Sequence, residues 1–210
     1  MNRVAGVFRF ASICVAALAI TLLIPVSCKA GTRTLDNLMT AFNGESNARA
    51  KYLAYAQKAD EEGYGKVAGL FRAAARAEEI HLNNHAVVIK AMGGTPQADI
   101  KLPEIKSTGE NIADAKKGEE YERNTMYPEF IALAEQEKNA DAVRTFKYAS
   151  EAEAEHAKLY GEALNNLQQW KVGKAEFSVC PTCGYTAKSK PGFVSCPTCA
   201  TPSKLFDPVI

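Results

Sequence analysis

The chain has 210 residues, 47% of them apolar and 23% charged, with a formal net charge of +1. That mix is the globular one and argues against a mostly disordered, collagen-like or polytopic membrane chain. The first 30 residues carry three basic and no acidic side chains, so 22 basic against 24 acidic residues leave 31–210 at about −2; no basic surplus points to nucleic acid or an anionic membrane.

The N-terminus reads as an address. Arg3 and Arg9 precede a nearly unbroken apolar run of 17 residues, Phe10 to Val26. A basic start followed by such a run is the layout of a secretory signal, and its length is at the lower edge of what spans a bilayer. The expectation is export from the cytoplasm, with residues 1–30 cleaved near Ala30 or retained as a membrane anchor. Cys28 offers lipid attachment as a third outcome. Membrane contact is expected through this segment alone.

Four long helices should follow, over residues 31–172. In the first, Thr34 to about Glu62, Leu35, Leu38, Phe42, Glu45, Ala48, Tyr52 and Tyr55 recur at helical steps, with Thr34 as N-cap. Gly63-Tyr64-Gly65 turns into the second, Lys66 to Met92, which Gly93-Gly94-Thr95-Pro96 stops. The third runs from Thr108 to about Glu137, with a local kink expected at Pro128, and the fourth from Asn139 to about Trp170. Two short links and one long crossover, 93–107, make a ferritin-like arrangement. An internal repeat supports a pair of helix hairpins: Phe71, Glu78 and His81 map onto Phe146, Glu153 and His156 at an offset of 75, and Gly44-Glu45 onto Gly118-Glu119 at 74.

Glu78-x-x-His81 and Glu153-x-x-His156 each place both side chains on one helix face, one turn apart. Glu45 lies on the apolar stripe of the first helix, Glu119 and Glu122 on that of the third. One glutamate from each of two helices plus Glu-x-x-His from the other two is the ligand set of dinuclear carboxylate bundles. Five buried carboxylates would otherwise be very costly or forced to protonate, and two divalent cations supply the missing charge. Oxygen mixed with nitrogen suits iron or manganese, and zinc without redox chemistry. Glu79, Glu151 and Glu155 should face solvent. His85, one turn past His81, fits a supporting or core histidine better than an extra ligand. Tyr52 and Tyr127 are placed to donate hydrogen bonds to ligand carboxylates, or to be ordinary core tyrosines.

The remaining residues, 173–210, hold Cys180-Pro-Thr-Cys183 and Cys196-Pro-Thr-Cys199, 12 residues apart. Two such knuckles point to one four-thiolate metal. Zinc and iron both fit, and two disulfides are open to an exported protein. Gly184 suits a left-handed turn, with Ala200 a weaker substitute at the matching place.

Several segments together resemble rubrerythrin over residues 34–207: Thr40-Ala-Phe-Asn-Gly-Glu-Ser-Asn-Ala-Arg, Ala77-Glu-Glu-Ile-His, Gly118-Glu-Glu-Tyr-Glu with Met126-Tyr-Pro, Ala152-Glu-Ala-Glu-His, and the two cysteine knuckles. The resemblance implies a mainly α fold, a ferritin-like bundle followed by a rubredoxin-like metal ribbon. It implies that Glu45, Glu78, His81, Glu119, Glu122, Glu153 and His156 bind two irons, and that one iron exchanges His81 for Glu122 on oxidation. It implies that Cys180, Cys183, Cys196 and Cys199 hold a third iron. Such proteins act as peroxidases, usually as head-to-tail homodimers. The expected function is therefore reduction of hydrogen peroxide to water, with an electron-donor protein or reductase feeding the four-cysteine iron, and with Glu122, His81, Tyr52 and Tyr127 at the reacting centre. The alternatives are a ferroxidase that handles iron, and a non-catalytic zinc-ribbon module on a structural bundle. The N-terminal segment departs from this usually cytoplasmic family.

Overall fold

The computed structural model describes residues 1, 32–171, 173–174, 176–189 and 192–210. The apolar run and Cys28 lie outside the described residues, so the expected signal or anchor does too. Among the described residues no helix is long and apolar enough to cross a membrane.

Helix α1 spans Arg33–Glu61, α2 Gly65–Ala91, α3 Thr108–Tyr121, α4 Tyr127–Gln136 and α5 Ala140–Asn165. The expected third helix is α3 and α4 joined by a π-helical turn, Glu122–Met126. Pro128 stands in the first turn of α4, just after Tyr127; lacking an N–H, it cannot continue the ladder, and the widened turn takes the place of the expected kink. The expected fourth helix ends at Asn165 and continues as a 3₁₀ turn, Leu167–Trp170.

The N-caps explain the starts. Thr32, not Thr34, caps α1, its hydroxyl accepting from Leu35 N–H. Thr34 is instead inside the helix and fully buried, its N–H donating to Glu137 Oε2 at 3.1 Å. Ser107 and Glu110 form a capping box on α3, and Asn139 caps α5.

α1 and α2 pair as one hairpin, and the α3–α4 rod packs on α5. The long crossover is strapped to α1 by two side-chain amides: Asn43 Oδ1 accepts from Asp99 N–H (2.8 Å) and Asn47 Oδ1 from Lys101 N–H (2.7 Å). Apolar packing fills both ends of the bundle. Tyr52, Tyr55, Phe71 and Tyr160 form the core at one end, Tyr127, Phe130 and Phe146 that at the other. Phe71 and Phe146, partners in the repeat, are each fully buried. Between the two cores lies a band of acidic and imidazole side chains.

The tail is a three-stranded antiparallel sheet, β1 (Phe177–Val179), β2 (Thr186–Lys188) and β3 (Asp207–Val209), in the order β2-β1-β3. It packs on the bundle of the same chain. Phe177 and Val179 join the bundle core beside Trp170. Arg76 pairs with Asp207 (2.8 Å), and Asn84 Nδ2 donates to Thr182 O (2.9 Å).

Candidate metal centre

Two overlapping ligand groups sit in the buried band. One comprises Glu45, Glu78, His81 and Glu153, the other Glu78, Glu119, Glu153 and His156, each with donor atoms within 4.8 Å of one another. Glu78 and Glu153 are common to both, so two cations held there could share them. The helical period explains the convergence. Each Glu-x-x-His offers its two side chains from one face, as in His81 Nδ1 to Glu78 Oε2 and His156 Nδ1 to Glu153 Oε2, both 2.8 Å.

One oxygen on each of Glu45, Glu78, Glu119 and Glu153 is buried without a hydrogen-bond partner. Buried carboxylate oxygens are rarely left so, and four of them spread over the two overlapping ligand groups fit a cation pair. The titration behaviour of the metal-free cluster says the same. Burial, then the charges of Glu153 and Glu45, pushes the Glu78 carboxyl well above its ordinary range. Burial and Glu153 raise Glu119 to about 7. Burial opposes ionisation of Glu153 as well, but the imidazoles of His81 and His156 overcome it and hold that carboxyl low. Both imidazoles are correspondingly raised against the opposing effect of burial, His81 by Glu153 and Glu78, His156 by Glu119 and Glu153. Protons thus stand where divalent cations would balance the charge.

Glu122 does not join either ligand group. It opens the π turn, half-buried, and burial together with Glu45 and Glu119 raises its carboxyl well above the usual range. His85 is also outside both groups; it is fully buried between Tyr127 Oη (3.3 Å from Nε2) and Thr145 Oγ1 (3.0 Å from Nδ1), the supporting place expected for it. Glu79 and Glu155 lie on the outside in ion pairs with Arg76 and Lys158, and Glu151 is exposed.

The two tyrosines bond crosswise. Tyr52 Oη donates to Glu119 Oε1 at 2.5 Å, and Tyr127 Oη donates to Glu45 Oε1. Each therefore steadies a glutamate belonging to the other half of the repeat.

The outer face of the centre is built by the tail, and nothing local in the sequence marks it. His81 Nε2–H donates to Cys183 O (3.1 Å) and His156 Nε2–H to Thr186 Oγ1 (2.9 Å). Thr186 in turn donates to Gly184 O (3.1 Å). These bonds occupy Nε2 and turn each Nδ1 towards the carboxylates, where a metal could take the place of its proton. Gly184, at φ +78°, faces His81 so closely that an added Cβ would lie 2.2 Å from its Nε2.

The four cysteines form the second centre. All are free thiols, with Cys180 Sγ 3.5 Å from Cys199 Sγ and Cys183 Sγ 3.5 Å from Cys196 Sγ, so the disulfide alternative falls. A tetrahedral metal with sulfurs at about 2.3 Å demands sulfur separations of about 3.8 Å. Backbone N–H groups of Thr182 and Cys183 aim at Cys180 Sγ, that of Tyr185 at Cys183 Sγ, and those of Thr198 and Cys199 at Cys196 Sγ. Gly184 and Ala200, the latter at φ +62°, take the matching left-handed positions.

Fold and site together define a ferritin-like protein with a dinuclear carboxylate–histidine centre and a rubredoxin-like four-thiolate ribbon. The rubrerythrin family model matches residues 36–164. Nigerythrin of Nitratidesulfovibrio vulgaris (strain Hildenborough) is 40% identical over 174 residues, 82% of this chain and 85% of that protein. Rubrerythrin of Porphyromonas gingivalis (strain W83) is 33% identical over 184 residues, 85% and 91% of the two. The structure of nigerythrin in its fully reduced, all-ferrous state superposes with a TM-score of 0.78 at 35% identity, covering 92% of this chain and 94% of that one. The bacterioferritin of Desulfovibrio desulfuricans shares the fold, with a TM-score of 0.61 at 21% identity over 66% and 82% of the chains. The chain belongs to the rubrerythrin family and carries its cofactors, a di-iron carboxylate site and a four-cysteine metal.

Proposed function

We propose that this protein reduces hydrogen peroxide to water, with two electrons and two protons consumed per peroxide. The observation that carries the reading is the direct bond from His81, in the di-iron ligand group, to the backbone of Cys183, in the four-cysteine site. A ferroxidase has no use for such a connection, and a zinc-ribbon module has no use for the buried carboxylates. When bound, the irons supply the electrons and the Lewis acidity that cleave the O–O bond.

The chain's own residues set the conditions. Glu45, Glu78, Glu119 and Glu153 carry the compensating charge, and Tyr52 and Tyr127 hold Glu119 and Glu45 in place. The Glu122 carboxyl, raised by burial and by Glu45 and Glu119, stands next to the cluster. Ionised, it would be a ligand able to replace His81, the exchange expected from the resemblance. Cys180, Cys183, Cys196 and Cys199 would hold an iron able to take electrons one at a time from a donor protein or reductase.

The homodimer belongs to the same proposal: exchange of ribbons between two chains would keep the His81–Cys183 contact while placing it across subunits. So does location outside the cytoplasm, on the strength of the basic start and the 10–26 apolar run.

The test is stopped-flow oxidation of the all-ferrous protein by peroxide and, separately, by dioxygen. Peroxide is expected to react far faster; equal rates refute the peroxidase reading. Metal analysis with a visible spectrum accompanies it. A coloured protein with iron in all three positions is expected, and a colourless one with zinc alone refutes it.

A further inference from the structure

The two ends of the bundle differ in one respect that the repeat makes plain. Tyr52 and Tyr127 correspond at the offset of 75, as do Phe71 and Phe146. The next aromatic position along each rod does not correspond in chemistry: it is Tyr55 beside Tyr52, but Phe130 beside Tyr127. The ring centroids are similarly spaced, 6.5 Å apart in the first pair and 6.4 Å in the second, but the rings are tilted by 43° in the first and stand edge-on at 87° in the second.

Tyr55 has what a redox-active tyrosine needs. Its ring is buried, 2% exposed, against Tyr52 and Phe71. Its hydroxyl donates to Asp114 Oδ2 at 2.9 Å, and Asp114 is itself paired with Lys51 at 3.2 Å. Burial of that carboxyl is outweighed by Lys51 and by the Tyr55 hydrogen bond, so Asp114 stays ionised and is a ready acceptor. The Lys51 ammonium lies 5.2 Å from the Tyr52 ring centre and 5.9 Å from that of Tyr55. A cation over both rings disfavours leaving positive charge on either, so an electron departs only together with the phenolic proton. Tyr160, also in contact with Tyr52, has a buried hydroxyl with no partner and no place to send a proton. Tyr55 and Asp114 together line a surface cleft of about 360 Å³ with Pro103, Lys106 and Glu110.

We propose that Tyr52 and Tyr55 form an escape route for oxidising equivalents, leading from the di-iron site to the Asp114 cleft. The route rests on the peroxidase reading. It serves when the four-cysteine iron has no electron left to give and a second peroxide, itself reduced to water, would leave the metal pair oxidised beyond the diferric state. Tyr55 then loses one electron, passed by Tyr52 to the oxidised metal pair, and its O–H proton goes to Asp114. Tyr52 is left unchanged. The neutral phenoxyl on Tyr55 is reduced back to the phenol at the cleft by a soluble one-electron donor such as a thiolate, which supplies the electron while Asp114 returns the proton. The ligands Glu45, Glu119, His81 and His156 are thereby spared oxidation.

The experiment mixes the iron-loaded full chain with excess peroxide and no reductant, freezes it at intervals for electron paramagnetic resonance, and follows peroxide loss in the same mixture. Digestion and mass spectrometry then locate oxidised side chains. A tyrosyl radical and hydroxylated Tyr55 are expected in the parent protein. Tyr55→Phe, which keeps the ring, should abolish that signal and move the damage to Tyr52 and the histidine ligands. Asp114→Asn should suppress it as well, and Tyr160→Phe should leave it intact. Peroxide loss without a tyrosyl signal, or a signal unchanged by Tyr55→Phe, overturns the route and leaves the peroxidase reading standing. No peroxide loss overturns both.

Discussion

Replacing Gly184 by alanine tests whether the ribbon truly shapes the di-iron centre. A Cβ there would lie 2.2 Å from His81 Nε2, 2.9 Å from Cδ2 and 3.1 Å from Cε1. The residue also sits at φ +78°. Three costs follow: about 1 kcal/mol for a side chain in left-handed backbone, about 1–3 kcal/mol for overpacking a closed interior, and about 1 kcal/mol for the lost bond from His81 to Cys183 O. The expected destabilisation is about 3–5 kcal/mol. His81, driven off its outer partner, should also bind metal more weakly by roughly 10–100-fold. Urea unfolding of metal-free and iron-loaded protein reads the first, and ferrous titration the second. A loss of only about 1 kcal/mol, with unchanged affinity, would mean that backbone strain is the whole effect. The claimed contact with His81 would then be wrong.

The matching position supplies the contrast: Ala200→Gly relieves φ +62° in the second knuckle and should stabilise the ribbon by up to about 1 kcal/mol, measured by urea unfolding. Thr186→Val keeps the shape of a fully buried strand residue but strands the His156 Nε2–H; a loss of about 1–3 kcal/mol and weaker ferrous binding are expected, with Thr186→Ser restoring both. In the metal-free protein Glu119 titrates at about 7 against an ordinary 4.5. The folded state holds the extra proton, so this contribution is full below about 4.5 and is lost as pH rises towards 7. Glu78 and Glu122 are shifted in the same direction, while the contribution of Glu153, held low, is lost as pH falls. Metal-free stability should therefore fall across that window while ferrous affinity rises; denaturation and titration at intervals through it check both, and a metal-free stability that climbs refutes the charge balance described.

What was legible beforehand is what local periodicity records. Glu78, His81, Glu153 and His156 announce themselves by a three-residue step within a repeat, and the cysteines by their knuckles. The ligand support drawn from the tail was not legible. Cys183 and Gly184 contribute backbone carbonyls, which have no residue signature, and Thr186 is an ordinary strand residue until the ribbon docks. Asn43 and Asn47 likewise stand on α1 for the sake of a crossover some fifty residues further on. The shifted cap, from Thr34 to Thr32, came from a tertiary bond to Glu137 that made Thr34 an interior residue.

One signal was present in the numbers and bears on why the centre is asymmetric. The repeat offset is 74 at Glu45 and Glu119 but 75 at Tyr52 and Tyr127. Glu45 and Tyr52 are seven residues apart, two helical turns of about 700°, so they point the same way. Glu119 and Tyr127 are eight apart, and a continuous α-helix would swing Tyr127 a further 100° or so, away from Glu45. The π turn absorbs the extra residue: Tyr127 N–H reaches back five residues to Glu122 O, and the phenol returns to its crosswise partner. Glu122, at the start of that turn, corresponds at an offset of 74 to Ala48 on α1. One half of a nearly twofold protein therefore has an added residue and an added carboxylate at the same place. A symmetric pair of hairpins would offer its two metals equal surroundings and no spare ligand. The widened turn breaks that equality while leaving both tyrosine–glutamate bonds in place, and it puts the one uncommitted carboxyl beside the centre.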